Sequence, residues 1–142
     1  MKKLTINLVS ESEFTVQGHG VHTAYLEMRH ILESQPDVKL LINSKPHSGI
    51  DITHIHTVGF FALRRLLSRR SGIRFVSAHI VPDSLVGSLA GAKIWVHFFK
   101  YYLRWFYNRA NVVIAVSPYT EKELLKLGVK RPIVVLPNSI DT

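Results

Sequence analysis

The chain has 142 residues, 46% of them hydrophobic and 20% charged, enough apolar material for one globular domain and too much for intrinsic disorder. It contains no cysteine, which excludes disulfides, thiolate nucleophiles and zinc ribbons and fits a reducing compartment. No window approaches the roughly 20 apolar residues of a membrane span, and the apolar run behind Met1-Lys2-Lys3 is too short for a signal peptide.

The net charge of +8 is concentrated. Residues 52–120 hold nine cations, Arg64, Arg65, Arg69, Arg70, Arg74, Lys93, Lys100, Arg104 and Arg109, against the single acid Asp83. Such a field attracts phosphoryl groups, nucleic acid or an anionic membrane.

In chain order, residues 3–9 alternate and are β-branched, which predicts a strand, and a polar loop then leads to a helix over 21–32, where Val21, Ala24, Tyr25, Met28, Ile31 and Leu32 follow helical spacing. Residues 38–42 and 52–57 read as short strands, 60–70 as a helix, 74–78 as a strand and 92–108 as a long helix. A strand over 112–116, a helix from Pro118 to Leu127 with Gly128 at its end, and a strand over 133–136 complete the pattern. Strands alternating with helices predict a three-layer α/β/α, Rossmann-like domain with a parallel sheet and ligands outside the carboxyl ends of the strands.

The loops at those ends carry much of the chemistry. Gly18-His19-Gly20 precedes the first helix, where glycines let backbone N–H groups at the positive helix end approach an anion; it reads as a phosphate site or as a flexible turn. It is not a dinucleotide fingerprint, because Thr23 stands where the third glycine belongs and no acid follows the second strand. His54 and His56 share one face of the third strand. With no third ligand at a telling spacing they are not expected to hold a metal; His54 reads as a packed, hydrogen-bonded residue and His56 as one facing a ligand.

His79 directly follows the fourth strand, and Pro82-Asp83-Ser84 turns the chain after it. A neutral imidazole there can donate to a hydroxyl or phosphate oxygen, the alternative being a local hydrogen bond. Gly87-Ser88-Leu89-Ala90-Gly91 lacks the glycine of a nucleophile elbow, and the lone acid of the middle region excludes a paired-carboxylate glycosidase there. The helix over 92–108 places Lys93, His97, Lys100, Arg104 and Asn108 along one narrow stripe, and nearly everything else, Trp95 and Trp105 included, is apolar. That exceeds what one core-facing stripe needs. It predicts either a core helix with solvated cations at its rim or contact with a lipid interface, with Arg64, Arg65, Arg69 and Arg70 attracting headgroups.

Five pieces in register resemble the N-terminal domain of the family 4 retaining glycosyltransferases of GT-B fold: Gly18-His19-Gly20-Val21-His22-Thr23; Asp51-Ile52-Thr53-His54-Ile55-His56-Thr57; Ser77-Ala78-His79; Ala110-Asn111 through Ser117; and Pro132 through Asp141. Asn111 stands where Asp is usual in the family and Ser139 where Gly is common. Within the family the likeness is to bacterial enzymes that glucosylate diacylglycerol.

The resemblance implies a sugar-nucleotide donor, a UDP-hexose, an acceptor such as a membrane lipid, and metal-independent transfer with retention, with no tightly bound cofactor. It places the Gly18, His19 and Gly20 loop beside the donor phosphates and acceptor and His79 against the transferred sugar; His56 joins them as a donor- or acceptor-binding residue from its own position near the carboxyl end of its strand. It divides the chain into an acceptor-side domain, 1–136, and the start of a crossover, 137–142, to a donor-binding C-terminal domain, without which no turnover is expected. The implied setting is the cytoplasm, peripheral on the inner face of the cell membrane, with no nucleic-acid partner. The alternative from composition alone is a small nucleotide- or nucleic-acid-binding α/β module, the latter marked by affinity that falls steeply with salt.

Overall fold

The computed structural model describes residues 3–11, 20–79 and 93–137. They form β1 (Leu4–Val9), α1 (Gly20–Glu33), β2 (Val38–Ile42), β3 (Ile52–Ile55), α2 (Phe60–Leu67), β4 (Ile73–Ala78), α3 (Lys93–Asn108), β5 (Val112–Ala115), α4 (Pro118–Leu127) and β6 (Ile133–Val135). The six strands make one parallel sheet in the order β2-β1-β3-β4-β5-β6, the α/β, Rossmann-like architecture that the alternating pattern predicts.

The strand period of two sorts side chains onto the two faces. Val76 and Ala78 of β4 and Val113 and Ala115 of β5 bury against Ala62 and Leu66 of α2, Leu103, Phe106 and Tyr107 of α3, and Leu124 and Leu127 of α4. The alternate residues Ser77 and Ile114 face Ala24, Met28 and Ile31 of α1 across a cavity. α1 therefore covers one face and α2, α3 and α4 the other.

Local chemistry sets the ends. α4 starts where the Ser117 hydroxyl accepts the Thr120 N–H and Pro118 follows, and stops at Gly128, whose φ of 104° is the left-handed region and whose N–H returns to the carbonyls of Leu124 and Leu125. α2 ends at Leu67, three residues before the expected Arg70. The carbonyl of Arg65 accepts the Ser71 hydroxyl and that of Leu66 accepts Arg74 Nη1 at 2.6 Å, so side chains replace the N–H donors that a further turn would supply.

β3 gives way at His56 instead of running to Thr57. His56 N–H still reaches the Val9 carbonyl at 2.9 Å, but the Glu11 N–H goes to the Thr57 hydroxyl at 3.1 Å, a side-chain acceptor in place of the ladder. Asn111 keeps the acceptor that an Asp would offer, because its Oδ1 receives the Arg74 N–H at 2.8 Å.

α3 is a core helix on one side only. Leu103, Phe106 and Tyr107 are fully buried, whereas Phe98 is 65% exposed, Tyr101 63% and Trp105 39%. His97, Lys100 and Arg104 are exposed beside them. Asn108, the last residue of the expected polar stripe, is a joint instead of a solvated side chain: its Nδ2 donates to the Gly128 carbonyl at 3.1 Å and its Oδ1 accepts the Lys130 N–H at 2.8 Å.

Candidate functional site

Going out from the middle of the sheet, β1 connects through α1 to β2 on one side, while β3 connects through α2 to β4 on the other. The crevice outside the carboxyl ends of β1 and β3 is therefore the topological switch point, where open parallel sheets bind ligands. The residues that follow β1 and β3 there are Ser10, Glu11, His56 and Thr57, and His79 follows the adjacent β4.

Three imidazoles run as a column along the α1 face. The rings of His54 and His56 lie 4.4 Å apart between centroids, and those of His56 and His79 stack at 5.5 Å. Tyr25 from α1 meets the His56 ring edge-on at 5.8 Å. His54 Nε2 hydrogen-bonds the Ser77 hydroxyl at 2.7 Å, and His56 Nδ1 and His79 Nε2 are 3.3 Å apart. Two neutral rings share one proton at such a contact, one nitrogen donating and the other accepting.

The environment keeps all three neutral. Burial, then the charge His79 would carry, lowers His54 to about 4; burial lowers His79 to about 4; burial, then His54 and His79, holds His56 well below its ordinary value. His56 Nε2 is buried with no protein partner. His56 borders the cavity of about 210 Å³ between α1 and the strand ends, beside Ser77, Met28, Val116 and Leu136. A neutral imidazole with one free nitrogen can donate to, or accept from, a ligand hydroxyl.

Among the described residues no three His, Asp or Glu side chains are placed to share a metal ion. The spacing of His54 and His56 brings the rings together, but His54 Nε2 is engaged by Ser77 and His56 Nδ1 by His79.

Two contributors had little signal in the sequence. Ser77 lies two residues before His79, hence on the same strand face, and that spacing could have found it. Glu11 had none. Its Oε1 accepts the Ala62 N–H at 3.4 Å and the Thr57 hydroxyl at 3.2 Å, so a carboxylate sits at the positive end of α2. Gly59 leaves room for this contact, since a Cβ there would push the Glu11 carboxylate aside.

Of the expected site residues, the structure brings His56 and His79 together and opens α1 at Gly20. Gly18 and His19 lie outside the described residues, as do the 82–84 turn, the 87–91 segment and the crossover from 138 onward. For Lys93 and Trp95 the description reaches the backbone only. Arg64, Arg69, Arg70, Lys100 and Arg104 are exposed, and Trp105 is half-exposed with the Arg109 guanidinium 5.6 Å from its ring centroid.

Arg65 departs from the expected surface cluster. It is 8% exposed; Nη1 donates to the Phe61 carbonyl at 3.3 Å and Nη2 to the Asn43 carbonyl at 3.2 Å. Its place on the inward side of α2, one turn after Phe61, buries it, while Arg64 next to it faces out.

Residues 9–142 match the family model described as Glycosyltransferase Family 4. Over 142 residues the chain is 32% identical to the α-galactosylglucosyldiacylglycerol synthase of Streptococcus pneumoniae (strain ATCC BAA-255 / R6), covering 99% of this chain and 38% of that protein.

Proposed function

Because the chain belongs to glycosyltransferase family 4, we propose that it is the acceptor-side part of an enzyme that moves a hexose from a sugar nucleotide, a UDP-hexose, to a membrane glycerolipid with retention. The observation that carries this reading is the neutral His56–His79 pair, 3.3 Å apart at the carboxyl ends of adjacent strands and beside the topological switch point. His79 would donate to a hydroxyl of the transferred sugar, and His56 would fix its tautomer from the buried side. The Gly18, His19 and Gly20 loop would lie against the donor phosphates at the start of α1.

No metal or tightly bound cofactor enters this reading. Residues 1–136 would form the acceptor-side domain, and 137–142 would begin the crossover to a donor-binding domain. The chain spans about two-fifths of the length of the relative it matches, and the electrostatic clamp on a departing diphosphate must be organised before reaction. The 142-residue chain alone would therefore not turn over.

The lipid acceptor is supported by the relative's name and by the surface of α2 and α3. α3 is tied to the segment that leads into α2, because the Tyr102 hydroxyl donates to the Val58 carbonyl. Phe60 of α2 is 80% exposed with Arg64 one turn on, and Phe98, Tyr101 and Trp105 of α3 are exposed beside Lys100 and Arg104. An apolar face ringed by cations suits an anionic lipid interface, which would make the enzyme peripheral on the cytoplasmic face of the membrane. No helix among the described residues is long and apolar enough to cross one.

The test is transfer of labelled hexose from a panel of sugar nucleotides by the whole protein to diacylglycerol and glucosyldiacylglycerol in vesicles, with product anomers assigned by NMR. A product of inverted configuration, or transfer to soluble acceptors only, would sink the reading.

A further inference from the structure

On the face opposite the His56 cavity, α2 and the segment after β2 enclose a second, open hollow of about 890 Å³. Lys45, Pro46, Phe60, Phe61, Arg64 and Arg65 line it, with Ser68 at one end. The family reading assigns no role to this hollow.

Its charge is one-sided. Among the described residues no carboxylate pairs with Lys45, Arg64 or Arg65. Lys45 and Arg64 are exposed, but Arg65 is buried, its guanidinium 3.7 Å from the Phe61 ring centroid. Of the five N–H groups that an arginine offers, one goes to the Phe61 carbonyl and one to the Asn43 carbonyl, and Nε is buried with no partner.

Neutral carbonyls hold the guanidinium in place without neutralising it. A buried charge lacking its counter-ion is a costly arrangement that an anion would relieve. Burial, and Arg64 next, lower the Arg65 pKa, as expected of a cation with no acid beside it.

The form of the hollow selects the anion. A guanidinium fork flanked by a second Arg and a Lys suits the oxygens of a phosphate. The hollow is larger than a phosphate, and its rim is apolar: Pro46 is half-buried and the Phe60 ring is 80% exposed. A phosphate attached to apolar chains fills both halves, whereas a free phosphate leaves the rim bare.

We propose that Lys45, Arg64 and Arg65 form a discrete site for the phosphodiester headgroup of one anionic lipid, with its glycerol and proximal chain against Phe60 and Pro46. The site rests on the reading that this surface meets a membrane, and it adds a specific stoichiometric contact to a diffuse field.

The experiment titrates the whole protein with dihexanoylphosphatidylglycerol, kept below its micellar concentration, and with glycerol phosphate and inorganic phosphate, by calorimetry. Two pairs of exposed residues carry equal charge changes: Lys45→Gln with Arg64→Gln inside the hollow, and Arg69→Gln with Arg70→Gln outside it. Saturable binding of one lipid per chain is expected, weakened about tenfold or more by the first pair and within about twofold by the second, since a lost charged hydrogen bond is worth about a factor of ten.

Equal weakening by both pairs, no saturable binding, or glycerol phosphate binding as tightly as the lipid would each overturn the proposal. Sedimentation with phosphatidylglycerol vesicles separates the two readings. Vesicle binding without saturable monomer binding removes the hollow and leaves the membrane surface standing; wild-type protein that ignores the vesicles removes the membrane reading itself.

Discussion

Acidification should loosen this domain through its histidine column, and the size of the effect follows from the local environment. In the fold His54 and His79 titrate near about 4, whereas in the unfolded chain an imidazole titrates near about 6.5. Below about 6.5 the unfolded chain takes up protons that the folded chain refuses, so stability is complete above that value and falls as pH drops toward about 4. Between about pH 7 and about pH 5 each such group contributes a loss of about 2 kcal/mol, or about 4 kcal/mol for His54 and His79 together. That is a large part of the stability of a domain this size.

His54→Gln isolates one member of the column, because a glutamine amide can still meet the Ser77 hydroxyl but does not titrate. Urea unfolding followed by tryptophan fluorescence and far-ultraviolet circular dichroism at the two pH values measures the difference. The wild-type chain should lose about 2 kcal/mol more than the variant over this interval. Parallel pH curves for wild type and H54Q would show that His54 is not held neutral by the fold, and the account of the column would fall with it.

His79→Ala in the whole enzyme should lower kcat by about 10²-fold while acceptor KM changes little, the scale of a hydrogen bond realised in the transition state; steady-state kinetics checks this, and a change confined to KM would make His79 a binding residue only. Reversing Arg64, Arg69 and Arg70 to Glu should weaken sedimentation with anionic vesicles and spare neutral ones, and added salt should imitate the change because surface charge is screened over ~10 Å at 0.1 M; wild-type sedimentation by the triple variant would contradict it. Gly59→Ala should destabilise by about 1 kcal/mol, because the new methyl pushes the flexible Glu11 carboxylate away from the Ala62 N–H and the Thr57 hydroxyl. The same substitution in a Glu11→Ala background should cost less, and additive losses in that double-mutant cycle would argue against the contact.

The sequence by itself determined the elements and their order. Alternating β-branched runs, helical spacing in residues 21–32 and the Ser117-Pro118 to Gly128 frame of α4 all act over a few residues, through backbone preferences and local capping. The same local logic put His54 and His56 on one strand face and His79 at a strand end. Chain pattern alone could not bring His56 to within 3.3 Å of His79 or stack it on His54; that required the parallel register in which β4 lies beside β3.

Tertiary structure also decided which cations face water. Arg64 and Arg65 are neighbours with the same chemistry, yet the inward side of α2 buries one against Phe61 and Asn43 and leaves the other exposed. Excess apolarity in α3 resolved into a buried face and an exposed aromatic one only once α3 had packed against the sheet and α4. Glu11, one of two acids in a polar loop, gained its role when the end of β1 met the start of α2 across Thr57. Short-range preference fixes what each segment becomes; which of its side chains meet is set by contacts between residues far apart in the chain, and those exist only after the sheet has assembled.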